Sequence, residues 1–148
     1  MHSYIFREYD IRGVVDRDLT DDVVRSIGRG FGTYVLRHGG ASISLGGDVR
    51  QSTDRFRVLI TEGALSTGLN VVDIGTVPTP VLYFSIVHLE TDGGVMVTGS
   101  HNPIEFNGLK MNDGLLSLYG DQIQDIRRLI ETGDFETGSG TSAAADVV

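Results

Sequence analysis

Ser100, His101 and Asn102 stand side by side ahead of Pro103, and Lys110, the only lysine of the chain, follows on the same stretch. A hydroxyl, an imidazole and an amine are residue types able to act as nucleophile, proton carrier and positive charge. The run Val95 to Val97 is apolar and bounded by glycines, which predicts a short buried strand ending at Gly99. Ser100 then lies just past a strand end, where α/β scaffolds display reactive groups. Pro103 removes a backbone donor and biases Asn102 towards extended geometry, so no regular element continues through the loop. A serine hydrolase needs Gly-x-Ser-x-Gly, whereas the position two after Ser100 is Asn102. Adjacent side chains on an extended loop point apart, which makes His101 a poor base for Ser100. Taken alone, the segment reads first as turn chemistry, with the serine bonded only to backbone.

The elements that must position these residues follow from the patterning. Leu19-Thr20-Asp21-Asp22 starts a helix, Thr20 capping it and the acids complementing its dipole; Val23, Val24, Ile27, Phe31, Tyr34 and Val35 then recur at helical spacing. Gly28, Gly30 and Gly32 on that helix lack the spacing of a phosphate loop and are read as permitting close packing. Ala41 to Leu45 is a strand leading into Gly46-Gly47, and Asp48 to Thr53 forms a loop in which Ser52 or Thr53 caps a helix over roughly 54–67. Val71 to Ile74 is a second strand, and Val77-Pro78-Thr79-Pro80 opens an apolar, well-buried helix over roughly 79–89. Asn112-Asp113-Gly114 between apolar runs predicts an antiparallel hairpin, and Ile123, Ile126 and Ile130 mark a last helix over about 121–132. From Gly133 the composition turns to Gly, Ser, Thr and Ala, which reads as a linker or frayed tail. Alternating strands and helices imply a three-layer α/β/α domain over residues 1–132 with a mixed, mostly parallel sheet, and residues 133–148 as linker. Right-handed crossovers gather the loops after parallel strands on one edge, so Arg50, Ser100 and Arg12 should converge there, with Lys110 returning to the same edge.

The 148 residues carry a net charge of −8, with 40% apolar and 22% charged content, the profile of one globular domain. Such a balance argues against a nucleic-acid surface, and any phosphate ligand would need cations concentrated locally. Arg12, Arg50 and Lys110 are the candidates, while Arg25, Arg29, Arg37, Arg55, Arg57, Arg127 and Arg128 read as solvated surface. Gly13 predicts a sharp bend that turns Arg12 outward. The first residues lack a basic n-region and an apolar h-region, and no apolar run approaches the ~20 residues that cross a bilayer, so the expectation is a cytoplasmic protein without membrane contact. The absence of cysteine excludes disulfides and thiolate metal sites.

Four segments in order carry a resemblance: Phe6-Arg7-Glu8-Tyr9-Asp10-Ile11-Arg12-Gly13, Gly46-Gly47-Asp48-Val49-Arg50-Gln51-Ser52, Val77-Pro78-Thr79-Pro80-Val81, and Thr98-Gly99-Ser100-His101-Asn102-Pro103 followed by Asn107-Gly108-Leu109-Lys110. Together they resemble the N-terminal, phosphoserine-bearing domain of the α-D-phosphohexomutases, the phosphomannomutases and phosphoglucomutases. The resemblance implies a phosphoserine at Ser100 that exchanges its phosphoryl group with hexose 1- or 6-phosphates through a bisphosphorylated sugar. It implies Lys110 as general acid/base, Arg12 as electrostatic partner, His101 and Asn102 as supports of the serine loop, and Tyr9, Asp48 and Arg50 as neighbours that bind phosphate or brace the site. Magnesium is implied as cofactor, held in part by the phosphoryl oxygen on Ser100, with hexose bisphosphate as intermediate and activator. Many members of the family carry arginine where this chain has Gly47. The metal loop, sugar loop and phosphate loop of the later domains do not occur in the chain, so the partners implied are hexose phosphates and further domains of the same polypeptide, the domain alone being inactive. Two other readings stand beside this one: a non-catalytic relative that binds a phosphosugar or a protein, and a stand-alone serine hydrolase or phosphatase.

Overall fold

A computed structural model describes residues 1–147. Helix α1 (Asp21–Arg37) begins where Thr20 Oγ1 accepts the Val23 N–H, with Asp21 and Asp22 in the first turn. It lies against α2 (Thr53–Thr67) so closely that a Cβ on Gly28 would sit 2.5 Å from the Ile60 carbonyl oxygen, and one on Gly63 2.1 Å from that of Arg25. The glycines of α1 are therefore packing residues, and they let two helices share one layer over the sheet.

The strands are β1 (Ile11–Val14), β2 (Ser42–Gly47), β3 (Asn70–Thr76), β4 (Gly93–Val97), β5 (Phe106–Asp113), β6 (Leu116–Ser117) and β7 (Ser142–Ala144). They form one sheet in the order β1-β5-β4-β2-β3-β7, with β6 paired to β5. Strand β5 runs antiparallel to β1, β4 and β6, while β2 is parallel to β3 and β4, and β3 to β7. The mixed sheet and the hairpin at Asp113-Gly114 both follow the expectation from patterning, and the pairings divide evenly between parallel and antiparallel because β5 is antiparallel to each of its three neighbours. Alternation along β4 divides the core: Val95 and Val97 join α1, α2 and α4 (Asp121–Thr132) on one face, and Met96 joins Leu82 and Ile86 of α3 (Thr79–His88) on the other. Three layers result. The described residues contain no helix long and apolar enough to cross a membrane.

Two expectations are corrected. Helix α3 is not well buried throughout: Leu82, Ser85 and Ile86 face the sheet, but Phe84 is 53% and Val87 63% exposed, because among the described residues no further element packs over the outer side of this helix. The stretch after Gly133 is not frayed. Asp134 and Glu136 pair with Arg37, the Gly138 and Gly140 N–H groups donate to the carbonyls of Ser66 and Leu65, and residues 142–144 add β7 to the edge of β3. The small residues here allow close approach to α2 and do not mark a loose chain.

Candidate functional site

The sheet edge at the ends of β2 and β4 builds the serine loop. Asp48, just past β2, donates its N–H to the Val97 carbonyl at 2.9 Å, and its Oδ2 accepts the Gly99 N–H at 2.9 Å. Oδ1 accepts from the Arg50 N–H at 3.0 Å and the Thr53 hydroxyl at 2.7 Å. Burial pushes the Asp48 carboxyl up, but the bonds from the Thr53 hydroxyl, the Arg50 and Gly99 N–H groups and the Thr98 hydroxyl outweigh it and hold the group below its ordinary value. Asp48 is thus a charged bracket joining the start of α2 to the start of the loop. The helix caps differ from expectation. Ser52 occupies the cap position of α2 without a capping bond, its hydroxyl accepting from Asn107 Nδ2 at 2.8 Å, and Thr53 serves Asp48.

Arg50 closes the loop from the other side. Nη1 donates to the carbonyls of Pro103 and Phe106 at 2.7 and 2.9 Å, and Nη2 to those of Asn102 and Ser100 at 2.6 and 3.3 Å. Nε lies 3.7 Å from Asp48 Oδ2. All four terminal N–H groups are spent on loop carbonyls, so Arg50 is a brace and not a free phosphate-binding cation. Gly99 makes room for it. Asn102 turns back on the loop, both its N–H and its Nδ2 donating to the Gly99 carbonyl at 3.0 and 3.2 Å.

Ser100 stands on this frame with φ at 51°, the left-handed region, and its residue surface is exposed. A side-chain-bearing residue there costs about 1–2 kcal/mol, so something must hold it. The bond from the Ser100 N–H to Thr98 Oγ1, 2.9 Å, is part of that hold. Among the described residues no hydrogen bond joins Ser100 Oγ, His101 or Lys110 Nζ to another group of the chain. His101 is exposed, and Tyr9 is 73% exposed on the turn before β1.

Arg12 is not turned outward. Gly13 pairs with Asn107 inside β1, the strand passes straight through it, and Arg12 is only 3% exposed. Its Nη1 donates to the Thr98 carbonyl and its Nη2 to Asp10 Oδ2 at 2.9 Å, while Nε is buried without an acceptor. Arg12 is paired with Gly108, and Lys110 lies two residues along β5, so the two cations share one sheet face. Lys110 is level with Met96, four residues before Ser100, and exposed; it returns within the sheet beside the edge, not onto the edge itself. Two grooves of about 480 and 500 Å³ flank the other side of the loop and share Gln51 and Ile104.

The structure therefore brings Arg50, Asp48, Asn102 and, through Thr98, Arg12 onto the serine loop and leaves Ser100 and His101 exposed on it, whereas Lys110 and Tyr9 are exposed but make no hydrogen bond to the loop among the described residues. At Gly47 a Cβ would lie 2.4 Å from Thr53 Cγ2, so an arginine at this position would require the Thr53 side chain, which is bonded to Asp48, or the first turn of α2 to shift. Arg57, read as surface, is a further correction: its side chain is 16% exposed and faces Asp73 and Asp54. Sequence reasoning passed over Thr98, Asp10, Thr53 and Asn107 as working residues. The i, i+2 spacing of Asp10 and Arg12, and of Thr98 and Ser100, is the signal that could have found two of them.

Residues 3–137 match the family described as phosphoglucomutase/phosphomannomutase, alpha/beta/alpha domain I. The chain is 41% identical over 144 residues to a phosphomannomutase/phosphoglucomutase of Pseudomonas aeruginosa, covering 97% of this chain and 31% of that protein. It is 40% identical over 132 residues to a phosphomannomutase of Salmonella montevideo, covering 88% and 28%. A crystal structure of a phosphoglucomutase/phosphomannomutase family protein from Burkholderia thailandensis superposes with a TM-score of 0.94 at 41% identity, over 99% of this chain and 34% of that one. The chain spans about a third of the length of the proteins it matches.

Proposed function

The chain belongs to the phosphoglucomutase/phosphomannomutase family as its domain I, and on that premise we propose that Ser100 is the residue that gives and receives the phosphoryl group in a reversible 1-to-6 exchange on hexose phosphates. The observation that carries this reading is an exposed serine held in a left-handed turn by braces, Asp48 and Arg50, that spend their polar atoms on the loop. A loop so held presents its hydroxyl at a defined place without needing the ligand to organise it. In the forward half-reaction the bond between phosphorus and Ser100 Oγ breaks as one forms to a sugar hydroxyl, giving a bisphosphorylated hexose. Lys110, assigned as the acid/base group, starts as the ammonium, gives a proton to Ser100 Oγ as its bond to phosphorus breaks and takes up the proton of the sugar hydroxyl, so it ends in the charge state in which it began. After the sugar turns over in the site, its other phosphate goes back to Ser100 by the same steps reversed.

A phosphoserine brings about −1.5 to −2 charges at neutral pH. On a chain of net charge −8, exposed Lys110 is the cation available to offset it, while Arg12, on the same sheet face, is already engaged by Asp10 and the Thr98 carbonyl and adds its charge only from within the sheet. Magnesium belongs to this proposal with a single donor from this chain, the phosphoryl oxygen on Ser100. Among the described residues no three His, Asp or Glu side chains gather to hold a metal, so these residues form no metal site by themselves. We further place the chain in a longer cytoplasmic polypeptide whose remaining domains complete the sugar site, the domain alone turning over no substrate. The stand-alone hydrolase reading lacks its base, since His101 is not hydrogen-bonded to Ser100 among the described residues.

The test is an assay of 1-to-6 phosphate exchange by the complete polypeptide carrying Ser100→Ala or Lys110→Ala. Loss of exchange is expected for the first, and a fall of about 100-fold or more for the second. Unchanged exchange in both would refute the assignment.

A further inference from the structure

We propose that Thr98 is a positioning residue for the transfer step, the hub through which Arg12 and Asp48 act on Ser100; this rests on the phosphoserine reading above. Every polar atom of Thr98 has a different partner. Its N–H donates to the Gly108 carbonyl at 3.0 Å, tying the end of β4 to β5. Its carbonyl accepts from Arg12 Nη1, which links it to β1. Its Oγ1 accepts the Ser100 N–H at 2.9 Å and also faces Asp48, lowering that carboxyl. Thr98 itself is 7% exposed, so no water competes freely for these bonds.

The hydroxyl has a specific task. A threonine oxygen that accepts the N–H two residues on closes a small side-chain turn, and this one is closed over a residue at φ 51°. The left-handed conformation and the bond that holds it are of similar energy. Without the bond, Ser100 keeps only the longer bond from Arg50 to its carbonyl, 3.3 Å, and relaxes towards negative φ, which moves Oγ from the place the braced loop gives it. A displacement of about 1 Å at a reacting atom costs on the order of 100-fold in rate, while binding of the sugar by other domains is untouched. Thr98 never meets substrate; it acts through the backbone of Ser100.

Thr98→Val removes the hydroxyl at nearly constant shape, and Thr98→Ser keeps it. In the 148-residue chain, amide hydrogen exchange read by NMR should show the Ser100 N–H protected in the unmutated chain and in Thr98→Ser, and unprotected in Thr98→Val. In the complete polypeptide, Thr98→Val should lower kcat at least tenfold with KM within about twofold, and Thr98→Ser should restore kcat to within about threefold. An unchanged kcat, or an equal loss in both variants, would overturn the positioning role while leaving the phosphoserine reading intact. If the unmutated polypeptide performs no exchange, the reading beneath it fails, and the positioning role falls with it. Should Thr98→Val not fold, the unmutated chain decides: a strong intraresidue contact between the Ser100 amide and α protons reports the positive φ, and its absence refutes the turn.

Discussion

The Arg50 side chain lies where a side chain on Gly99 would have to be: a Cβ there would stand 1.7 Å from Arg50 Nε. Residues from the loops after β2 and β4 thus interlock, and the brace exists only because Gly99 has no Cβ. Gly99→Ala must expel Arg50 and should cost roughly 2 kcal/mol by overpacking and lost bonds. In an Arg50→Ala background the same change should cost much less, a coupling of about 1 kcal/mol or more in a double-mutant cycle by urea unfolding. Additive costs would show that the two residues do not share this space.

Asp48 sets an acid-side dependence. Its folded pKa lies below the unfolded value, so its contribution is fully present above about pH 4 and is lost as pH falls through the folded pKa. Asp48→Asn should be less stable at pH 7 by about 1–2 kcal/mol, and its stability should fall less steeply than that of the unmutated chain as pH drops below 4. Urea midpoints measured from pH 7 to pH 2 supply the comparison. Parallel curves for the two proteins would contradict the bracket role.

Arg12 has a side chain 1% exposed beside Asp10 at 15%, a pair removed from water. Removing Arg12 leaves Asp10 with only the half-exposed Arg7, 3.7 Å away, so Arg12→Ala should destabilise by about 2–3 kcal/mol. Arg12→Lys should recover only part of this, because one ammonium cannot serve both the Thr98 carbonyl and Asp10 in the planar fork that arginine provides. Thermal unfolding of both variants distinguishes this from a role in charge alone, for which lysine would suffice.

The α1–α2 contact gives a prediction far from the chemistry. Gly63→Ala gains about 1 kcal/mol of helix propensity but sets a methyl against the Arg25 backbone, which cannot swing aside. Net destabilisation of about 1–3 kcal/mol is expected in urea unfolding. A stabilised variant would mean that the helices can separate freely.

The strap after Gly133 is held partly by Arg37, whose side chain is 36% exposed and whose partners are more exposed still. Arg37→Ala should therefore change global stability by less than about 1 kcal/mol. Cleavage between Asp134 and Thr141 by a nonspecific protease should nonetheless become faster, since the loss is local. Equal cleavage rates would show that the backbone bonds to Leu65 and Ser66 hold the strap without Arg37.

The sequence by itself determined the four helices and the strands between them, since each depends on neighbours: Thr20 capping α1, the isoleucines of α4 at helical spacing, Asp113-Gly114 turning a hairpin; β1 and β7, which exist only as partners of β5 and β3, it did not show. It also placed Ser100 beyond a strand end, and the four segments of resemblance marked Asp48, Arg50 and Arg12 as residues to watch. What each of those residues does was decided only by the tertiary structure. Arg50 meets the carbonyls of residues 100 to 106, Asp48 meets Gly99, and Arg12 meets Thr98, partners 50 or more positions away. Such bonds form only after β5 has been inserted antiparallel between β1 and β4 and the chain ends of three strands have been brought to one edge. Local spacing carries information about a few residues either side, and burial of a charge or the sign of Ser100 φ depends on what closes over it from elsewhere in the chain.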